Sequence, residues 1–181
     1  MPSDNEMEVK ENNMGKILMV IASSNFRDEE YEEPKKVLQD AGYDIEVACS
    51  KLDVATGMLG ITVTPDLLLQ NVNVDNYKAV LFIGGGGASE YWNDSTAHKI
   101  ARDTINKGKV LGAICIAPNT LANAGLLNGK KACGFESITT NLAQAGAIVE
   151  ASDVVVDGNI VTASGPEAAT PFGVKIKELL K

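Results

Sequence analysis

The regular alternation of strand-like and helix-like segments constrains the fold of this chain more than any other feature of its sequence. Continuous apolar runs occur in KILMVIA (16–22), YKAVLFIGGGG (77–87) and VLGAI (110–114). Runs without polar alternation are typical of parallel strands that are buried on both faces of a sheet. Because helical segments lie between these runs, the sequence predicts an α/β fold with a mostly parallel sheet and helices on both of its faces.

The other predicted elements continue this alternation. Helices are predicted over 32–42, 93–108, 120–127, 137–146 and 166–181. Further strands are predicted over 43–50 and 131–134, a hairpin around Asp-Gly-Asn over 154–163, and turns between 50 and 77. The clearest helix is 93–108, which has Asp94 or Ser95 as its N-cap, an apolar face, and Gly108 as its stop signal.

The composition fits one compact domain that needs no cross-links. The chain has 181 residues, of which 45% are hydrophobic and 22% are charged. A domain of this length buries roughly 70% of the surface that its unfolded chain exposes, so no disulfide or structural metal is required. The three cysteines, Cys49, Cys115 and Cys133, are widely spaced, and His98 is the single histidine. We therefore expect no metal site, no disulfide framework and no organic cofactor.

The charge balance limits the classes of partner. A net charge of -8 opposes binding to nucleic acid or to anionic membranes, which require clustered Lys and Arg. No stretch approaches the roughly 20 apolar residues of a membrane span, and no signal segment is recognisable. We expect a cytoplasmic, reducing location. Residues 1–15 are polar and mostly acidic, which predicts a disordered tail before a single domain over 16–181.

Cys115 lies where a predicted strand turns into a helix. It follows the strand 110–114 and precedes Pro118, a residue suited to the first turn of a helix. The amide groups at a helix N-terminus favour thiolate over thiol, so this placement predicts a pKa below about 8.5. The same strand–turn–helix geometry presents the serine of many hydrolases at a nucleophile elbow. The alternative is a buried, unreactive cysteine that serves as a small hydrophobe.

The four glycines at 84–87 are the second candidate site feature. Because they lack Cβ atoms, their backbone can approach a small ligand and, with the amide of Ile116, stabilise an oxyanion. The alternative is a tight turn with no role in chemistry. A phosphate-binding loop is disfavoured, because the segment matches neither GxxxxGK[ST] nor GxGxxG.

Four stretches of the chain resemble the PfpI superfamily, also called the DJ-one/PfpI family. They are GAICIAP (112–118), FIGGGGASEYW (82–92), FRDEEYEEPKKVLQDAG (26–42) and VVVDGNIVTASGPEAATPF (154–172). The resemblance covers about residues 16–181 in unbroken order. It implies a flavodoxin-like, three-layer α/β/α sandwich with the cysteine at a nucleophile elbow. It also implies a homodimer or a higher homo-oligomer.

The resemblance further assigns roles to individual residues. The nucleophile falls on Cys115, the acid on Glu30, and the oxyanion glycine on Gly86 with Gly85 beside it. A carboxyl beside a thiolate cannot comfortably carry a second negative charge, so one member of the pair should hold a proton. The residues alone do not select Glu30 from the neighbouring acids; the family alignment does.

Histidine is where the chain departs from the family pattern. Members of the family place a histidine directly after the cysteine, where this chain has Ile116, or on a later loop that aligns roughly with Phe135. His98 lies in the predicted helix 93–108, where we expect a surface or structural role. Peptide hydrolysis requires proton delivery to an amine, so the missing histidine disfavours protease activity.

The remaining candidates are expected to be structural. Cys49 and Cys133 lie in strand-like stretches and are predicted to be core residues. Tyr91 and Trp92 follow the glycine loop, where they either line the pocket or pack in the core.

Three hypotheses for function follow from these observations. The first is an enzyme in which Cys115 attacks a small reactive carbonyl such as methylglyoxal, or its adduct on an amine or thiol, with Glu30 as the proton shuttle. The second is a redox-sensing or chaperone-like protein in which Cys115 is oxidised. The third, which the missing histidine disfavours, is a peptidase or amidase of the PfpI type.

Overall fold

The computed structural model describes residues 13–181 and contains a seven-stranded, mostly parallel sheet. Residues 1–12 of the predicted tail lie outside the described residues. Next to them, the Met14 amide donates a 2.9 Å hydrogen bond to the Gly42 carbonyl, so this part of the chain contacts the domain.

The elements alternate along the chain as the apolar runs predict. The strands are β1 (Lys16–Val20), β2 (Ser24–Phe26), β3 (Asp44–Cys49), β4 (Ala55–Gly57), β5 (Thr62–Val63), β6 (Leu67–Leu68), β7 (Ala79–Phe82), β8 (Val110–Ile114), β9 (Lys131–Ala132), β10 (Ile148–Val149), β11 (Val154–Asp157) and β12 (Ile160–Ala163). The α-helices are α1 (Asp28–Asp40), α2 (Ser95–Asn106), α3 (Pro118–Asn123), α4 (Thr139–Gln144) and α5 (Ala169–Leu179).

The strand order of the main sheet is β11-β12-β8-β7-β1-β3-β6. Every neighbouring pair is parallel except β11 and β12, which form the predicted antiparallel hairpin. After β1, the chain places β3 and then β6 on one side of β1, and it returns to place β7 on the other side of β1. Ligands of open α/β sheets bind at such a change of direction, beyond the carboxyl ends of the strands. The loops after β7 and β8 lie at this edge and carry the glycines and Cys115.

Two apolar layers cover the faces of the sheet. The side chains of β1 alternate between them, with Ile17 and Met19 on one face and Leu18 and Val20 on the other. The first face packs against α1 and α5 through Leu38, Phe172 and Ile176, and the second packs against α2, α3 and α4 through Ile100, Leu121 and Leu142. This arrangement confirms the predicted three-layer α/β/α sandwich.

Helix α1 begins four residues earlier than the sequence predicts. It starts at Asp28 and carries Pro34 in its interior. The prediction began at 32 because a proline is most easily accommodated in the first turn of a helix. Three acids in the first turn, Asp28, Glu29 and Glu30, favour the earlier start because they interact well with the helix dipole. As a result, Glu30 is part of the helix and not of the loop before it.

Two further differences concern short elements. The turn-rich stretch between 50 and 77 contains the strands β4, β5 and β6. Strand β9 pairs with β10 in a separate two-stranded sheet. These strands are two or three residues long, which is too short for an alternation of apolar and polar residues to be detected in their sequences.

Two kinds of feature are missing from the described residues. No helix between 13 and 181 is both long enough and apolar enough to cross a membrane. Over the same residues, no group of three or more His, Cys, Asp or Glu side chains is arranged to hold a metal ion.

The close packing of α5 on α1 gives the first prediction. A Cβ atom at Gly173 would lie 2.9 Å from Cα of Pro34 and 3.2 Å from Cβ of Val37. We expect Gly173→Ala to lower the free energy of unfolding by about 1–3 kcal/mol, because the added methyl group pushes α5 away from α1. Urea denaturation measures this change, with Lys175→Ala at an exposed position of α5 as the control. A Gly173→Ala variant at least as stable as the wild type would contradict the prediction, since alanine is the better helix former.

Candidate active site

Cys115 adopts a strained backbone conformation directly after β8. Its φ angle is +66°, in the left-handed region that residues other than glycine rarely occupy. Two hydrogen bonds hold it there: its amide donates to the Ala163 carbonyl at 2.9 Å, and its carbonyl accepts from the Phe135 amide at 2.8 Å. Strain of this kind persists only where the surroundings impose it, and it clusters at functional sites. The geometry is that of a nucleophile elbow.

The glycine loop packs directly against this elbow. A Cβ atom at Gly84 would lie 2.6 Å from Cβ of Cys115 and would collide with a carboxyl oxygen of Glu30. Gly85 has a φ angle of +101°, and its backbone packs against that of Asn25 and Arg27. Glycine is therefore required at 84 for space and at 85 for both space and conformation. The loop is therefore a tight turn that packs against Cys115.

Two backbone amides lie at the Cys115 sulfur. The N–H groups of Gly85 and Ile116 both hydrogen-bond to it and lower the pKa of the thiol. Gly86 is solvent-exposed at the start of a 3₁₀ helix, Gly86–Tyr91, and its amide is not one of the two at the sulfur. Of the three expected oxyanion donors, the structure brings Gly85 and Ile116 to the sulfur, and the role of Gly86 stays a prediction.

Glu30 is a fully buried acid beside the thiol. Neither carboxyl oxygen has a hydrogen-bond partner of standard geometry among residues 13–181, although the Cys115 thiol and the Gly84 amide are near enough to favour its charged form. Burial outweighs these contacts and the nearby charge of Arg27, and raises the pKa of Glu30 to about 8. The carboxyl is therefore protonated at neutral pH and can donate a hydrogen bond.

The predicted depression of the Cys115 pKa is wrong. The thiol is 8% exposed, and burial together with the charge of Glu30 raises its pKa to about 12. The amides of Gly85 and Ile116 oppose this shift without overcoming it. Helix α3 adds little, because it has six residues and begins three positions after Cys115. Between about pH 8 and 12 the two groups share one proton and one negative charge, as expected for a coupled pair.

Sequence reasoning missed the part played by Arg27. Its amide donates a 2.9 Å hydrogen bond to the Gly84 carbonyl and so ties the glycine loop to the start of α1. Its guanidinium pairs with Glu29, with Nε 2.6 Å from Oε2, and its positive charge opposes the rise in the Glu30 pKa. The signal in the sequence is an arginine directly before three acids, but nothing local shows that its amide reaches residue 84.

An open cleft of about 770 Å³ lies beside Phe135, whose amide binds the Cys115 carbonyl, but neither Cys115 nor Glu30 lines it. Arg27, Phe135 and Gly165 line it, together with four acidic side chains: Glu136, Glu150, Asp153 and Glu167. The amide of Phe135 binds the Cys115 carbonyl, and its ring is 46% exposed. The cleft is therefore wide enough for a ligand larger than a simple aldehyde, and the charged side chains on its wall are mainly acidic.

The other sequence candidates have structural contacts. The indole N–H of Trp92 donates to the Ile116 carbonyl at 3.0 Å, and Nε2 of His98 lies 2.8 Å from the Trp92 carbonyl. His98 thus supports Trp92 and does not partner Cys115. Cys49 and Cys133 are buried, with exposures of 0% and 2%.

Comparison with known proteins identifies the family. The model of the family described as DJ-1/PfpI matches residues 15–179. The chain belongs to the DJ-1/PfpI family. The match confirms the resemblance inferred from the elbow, the glycine loop and the C-terminal hairpin.

Relatives in the DJ-1/PfpI family cover nearly the whole chain. An uncharacterized protein of Methanocaldococcus jannaschii is 40% identical over 98% of this chain and 88% of its own length. Deglycase PfpI of Pyrococcus furiosus is 31% identical over 91% of this chain and 99% of its own. The crystal structure of a ThiJ/PfpI domain protein from Brachyspira murdochii superimposes with a TM-score of 0.90, at 32% identity over 93% of this chain and 97% of that one.

The buried acid gives a prediction for stability against pH. Because the pKa of Glu30 is about 8 in the fold and about 4.5 when exposed, the folded state holds its proton more tightly. The free energy of unfolding should therefore fall as the pH rises from about 4.5 to about 8, by up to about 1.4 kcal/mol per pH unit. Glu30→Gln removes this penalty, so its stability relative to the wild type should increase across that window. Chemical denaturation at several pH values measures the trend.

Glu46→Gln is a control for which the opposite dependence of stability on pH is expected. The hydrogen bond from Tyr77 and the charge of Lys16 lower the pKa of Glu46, so its carboxylate stabilises the fold at neutral pH. Relative to the wild type, Glu46→Gln should be less stable at neutral pH, and the difference should vanish as the pH falls. A relative stability of Glu30→Gln that did not change with pH would rule out a raised Glu30 pKa.

Proposed function

We propose that the protein is a cysteine-dependent enzyme that acts on small reactive carbonyls such as methylglyoxal, or on their adducts with amines and thiols. The observation that carries this proposal is the contact between the Cys115 thiol and the buried, protonated Glu30, with the amides of Gly85 and Ile116 at the sulfur. The relative in Pyrococcus furiosus named a deglycase supports the same class of chemistry.

The first step is addition of the sulfur to the aldehyde carbon. The C=O electron pair moves to the carbonyl oxygen, where the amides of Gly85 and Ile116 stabilise the growing negative charge. Glu30 gives its proton to this oxygen and receives the thiol proton in exchange. The product is a neutral hemithioacetal on Cys115, and Glu30 is again protonated.

The second step moves a hydrogen between the two carbons of the former dicarbonyl. Glu30 gives its proton to the ketone oxygen and, as the carboxylate, removes the proton from the former aldehyde carbon, which leaves an enediol. Glu30 then delivers that proton to the former ketone carbon and accepts the hydroxyl proton of the former aldehyde carbon, so a thioester forms and Glu30 is again protonated. The aldehyde carbon is oxidised and the ketone carbon is reduced by the same electron pair, so no external oxidant is consumed. Water then hydrolyses the resulting thioester, which releases lactate and restores the thiol.

The residues around the sulfur favour carbonyl chemistry over peptide cleavage. Cleavage of an amide needs an acid that protonates the leaving amine, a role that histidine commonly fills. The family resemblance implies that this histidine would fall at Ile116 or roughly at Phe135, and His98 bonds to Trp92. Addition to an aldehyde releases no amine, so Glu30 suffices as the proton carrier.

The cleft supports adducts as substrates alongside free aldehydes. Its volume of about 770 Å³ exceeds what a three-carbon dicarbonyl requires. The four carboxyl groups on its wall attract cationic groups, such as the remaining part of a modified lysine or arginine.

Lactate formation from methylglyoxal tests the proposal. Cys115→Ala should abolish it, and Glu30→Gln should lower kcat about 10²- to 10⁴-fold because glutamine cannot carry the proton. Cys133→Ala removes another buried thiol and should retain most of the activity. Full lactate production by Cys115→Ala would contradict the proposal.

A second candidate function, redox sensing through Cys115, is favoured by the same protonated acid. A neutral Glu30 can donate a hydrogen bond to an oxygen on sulfur and so stabilise a sulfenic or sulfinic acid. Mild peroxide, which is reduced to water as sulfur gains oxygen, should then modify Cys115 before Cys49 or Cys133. Intact and peptide mass measurement follows the reaction, with Cys115→Ala as the control. An unmodified Cys115 would argue against sensing.

A further inference from the structure

Tyr91 joins the end of the glycine-loop segment to two central strands. It is the last residue of the 3₁₀ helix that follows the loop, and its side chain is buried. Its hydroxyl donates a 2.7 Å hydrogen bond to the Ile21 carbonyl and accepts one of 3.0 Å from the Ser50 amide. Ile21 directly follows β1 and Ser50 directly follows β3, so one hydroxyl connects the carboxyl ends of both strands.

Other contacts along the segment 84–90 attach it to the chain before α1. The Arg27 amide binds the Gly84 carbonyl, and a Cβ atom at Gly87 would collide with the Ser24 carbonyl. The exposed Glu90 carboxylate accepts hydrogen bonds from the Ser23 amide and hydroxyl at 2.8 and 3.0 Å. All of these contacts join the loop to the segment 23–27, whereas Tyr91 joins it to the ends of β1 and β3.

We propose that Tyr91 is a positioning residue for the chemistry of Cys115: its hydroxyl holds the segment 84–91 against β1 and β3, so that the Gly85 amide stays directed at the sulfur. This proposal rests on the proposed function only for its effect on turnover. The buried hydroxyl stays protonated, because burial raises its pKa, and it therefore remains a donor to the Ile21 carbonyl.

Loss of the hydroxyl should act on the site through geometry. Without it, the Ile21 carbonyl loses a buried hydrogen-bond donor, which costs free energy, and the part-buried Ser50 amide loses its acceptor. The segment 84–91 can then shift to regain water or other partners. A misplacement of about 1 Å far from the reacting atoms can cost about 100-fold in rate.

Tyr77 offers a matched control for the same truncation. It is also buried, and its hydroxyl donates a 2.7 Å hydrogen bond to Glu46. It precedes β7 and so lies at the amino end of the sheet, away from Cys115. Tyr77→Phe and Tyr91→Phe each remove one buried hydroxyl, but only the second should affect the site.

The experiment compares both variants with the wild type in two assays. The first is kcat and KM for lactate formation from methylglyoxal. The second is the rate at which iodoacetamide alkylates Cys115 at pH 8.5, followed by peptide mass measurement, with all proteins well below their melting temperatures. Tyr91→Phe should lower kcat about tenfold at nearly unchanged KM and slow alkylation several-fold, because a displaced Gly85 amide stabilises the thiolate less. Tyr77→Phe should change neither by more than twofold.

A rescue variant separates positioning from general destabilisation. Replacing Tyr91 with 4-aminophenylalanine restores a donor near the Ile21 carbonyl and should recover most of the alkylation rate. The proposal is overturned if Tyr91→Phe leaves alkylation within twofold of the wild type, if Tyr77→Phe slows it equally, or if the amino variant gives no recovery. Alkylation needs no carbonyl substrate, so the positioning role is decided even if the wild type forms no lactate.

Discussion

The contact among Glu30, Gly84 and Cys115 is the constraint on which the site depends. The glycine leaves just enough room for a carboxyl and a thiol to face each other, and any side chain at 84 would occupy that room. Each partner comes from a different part of the sheet edge: the start of α1, the end of β7 and the end of β8. The contact therefore exists only when the helix and both strands are packed in register.

This contact also sets the charge state of the site. Two acids in a dry pocket cannot both ionise near neutral pH, so the pair keeps its protons longer than either group would alone. This arrangement lowers the free energy of unfolding as the pH rises, because Glu30 is buried and its carboxyl has no hydrogen-bond partner of standard geometry among residues 13–181. Natural proteins commonly accept such local costs at functional sites.

In the proposed mechanism Glu30 is the proton carrier, because His98 bonds to Trp92 and not to Cys115. The amide of Phe135 supports the strained elbow by donating a hydrogen bond to the Cys115 carbonyl. This hydrogen bond requires only a backbone N–H group at position 135, which every residue except proline provides. Its side chain lines the cleft and is 46% exposed.

The sequence by itself determined the fold class, the place of Cys115 after a buried strand and, through the family motif, the choice of Glu30. Those features depend on the local pattern of apolar residues, on the glycines and prolines that mark turns and helix ends, and on a motif of a few residues. Only the tertiary structure decided that the pKa of Cys115 is raised and not lowered, that α1 starts early, and that Arg27 and Tyr91 anchor the glycine loop. Burial and contacts between residues distant in the chain produce these features: Tyr91 meets Ile21 across 70 positions, and no local pattern encodes that meeting.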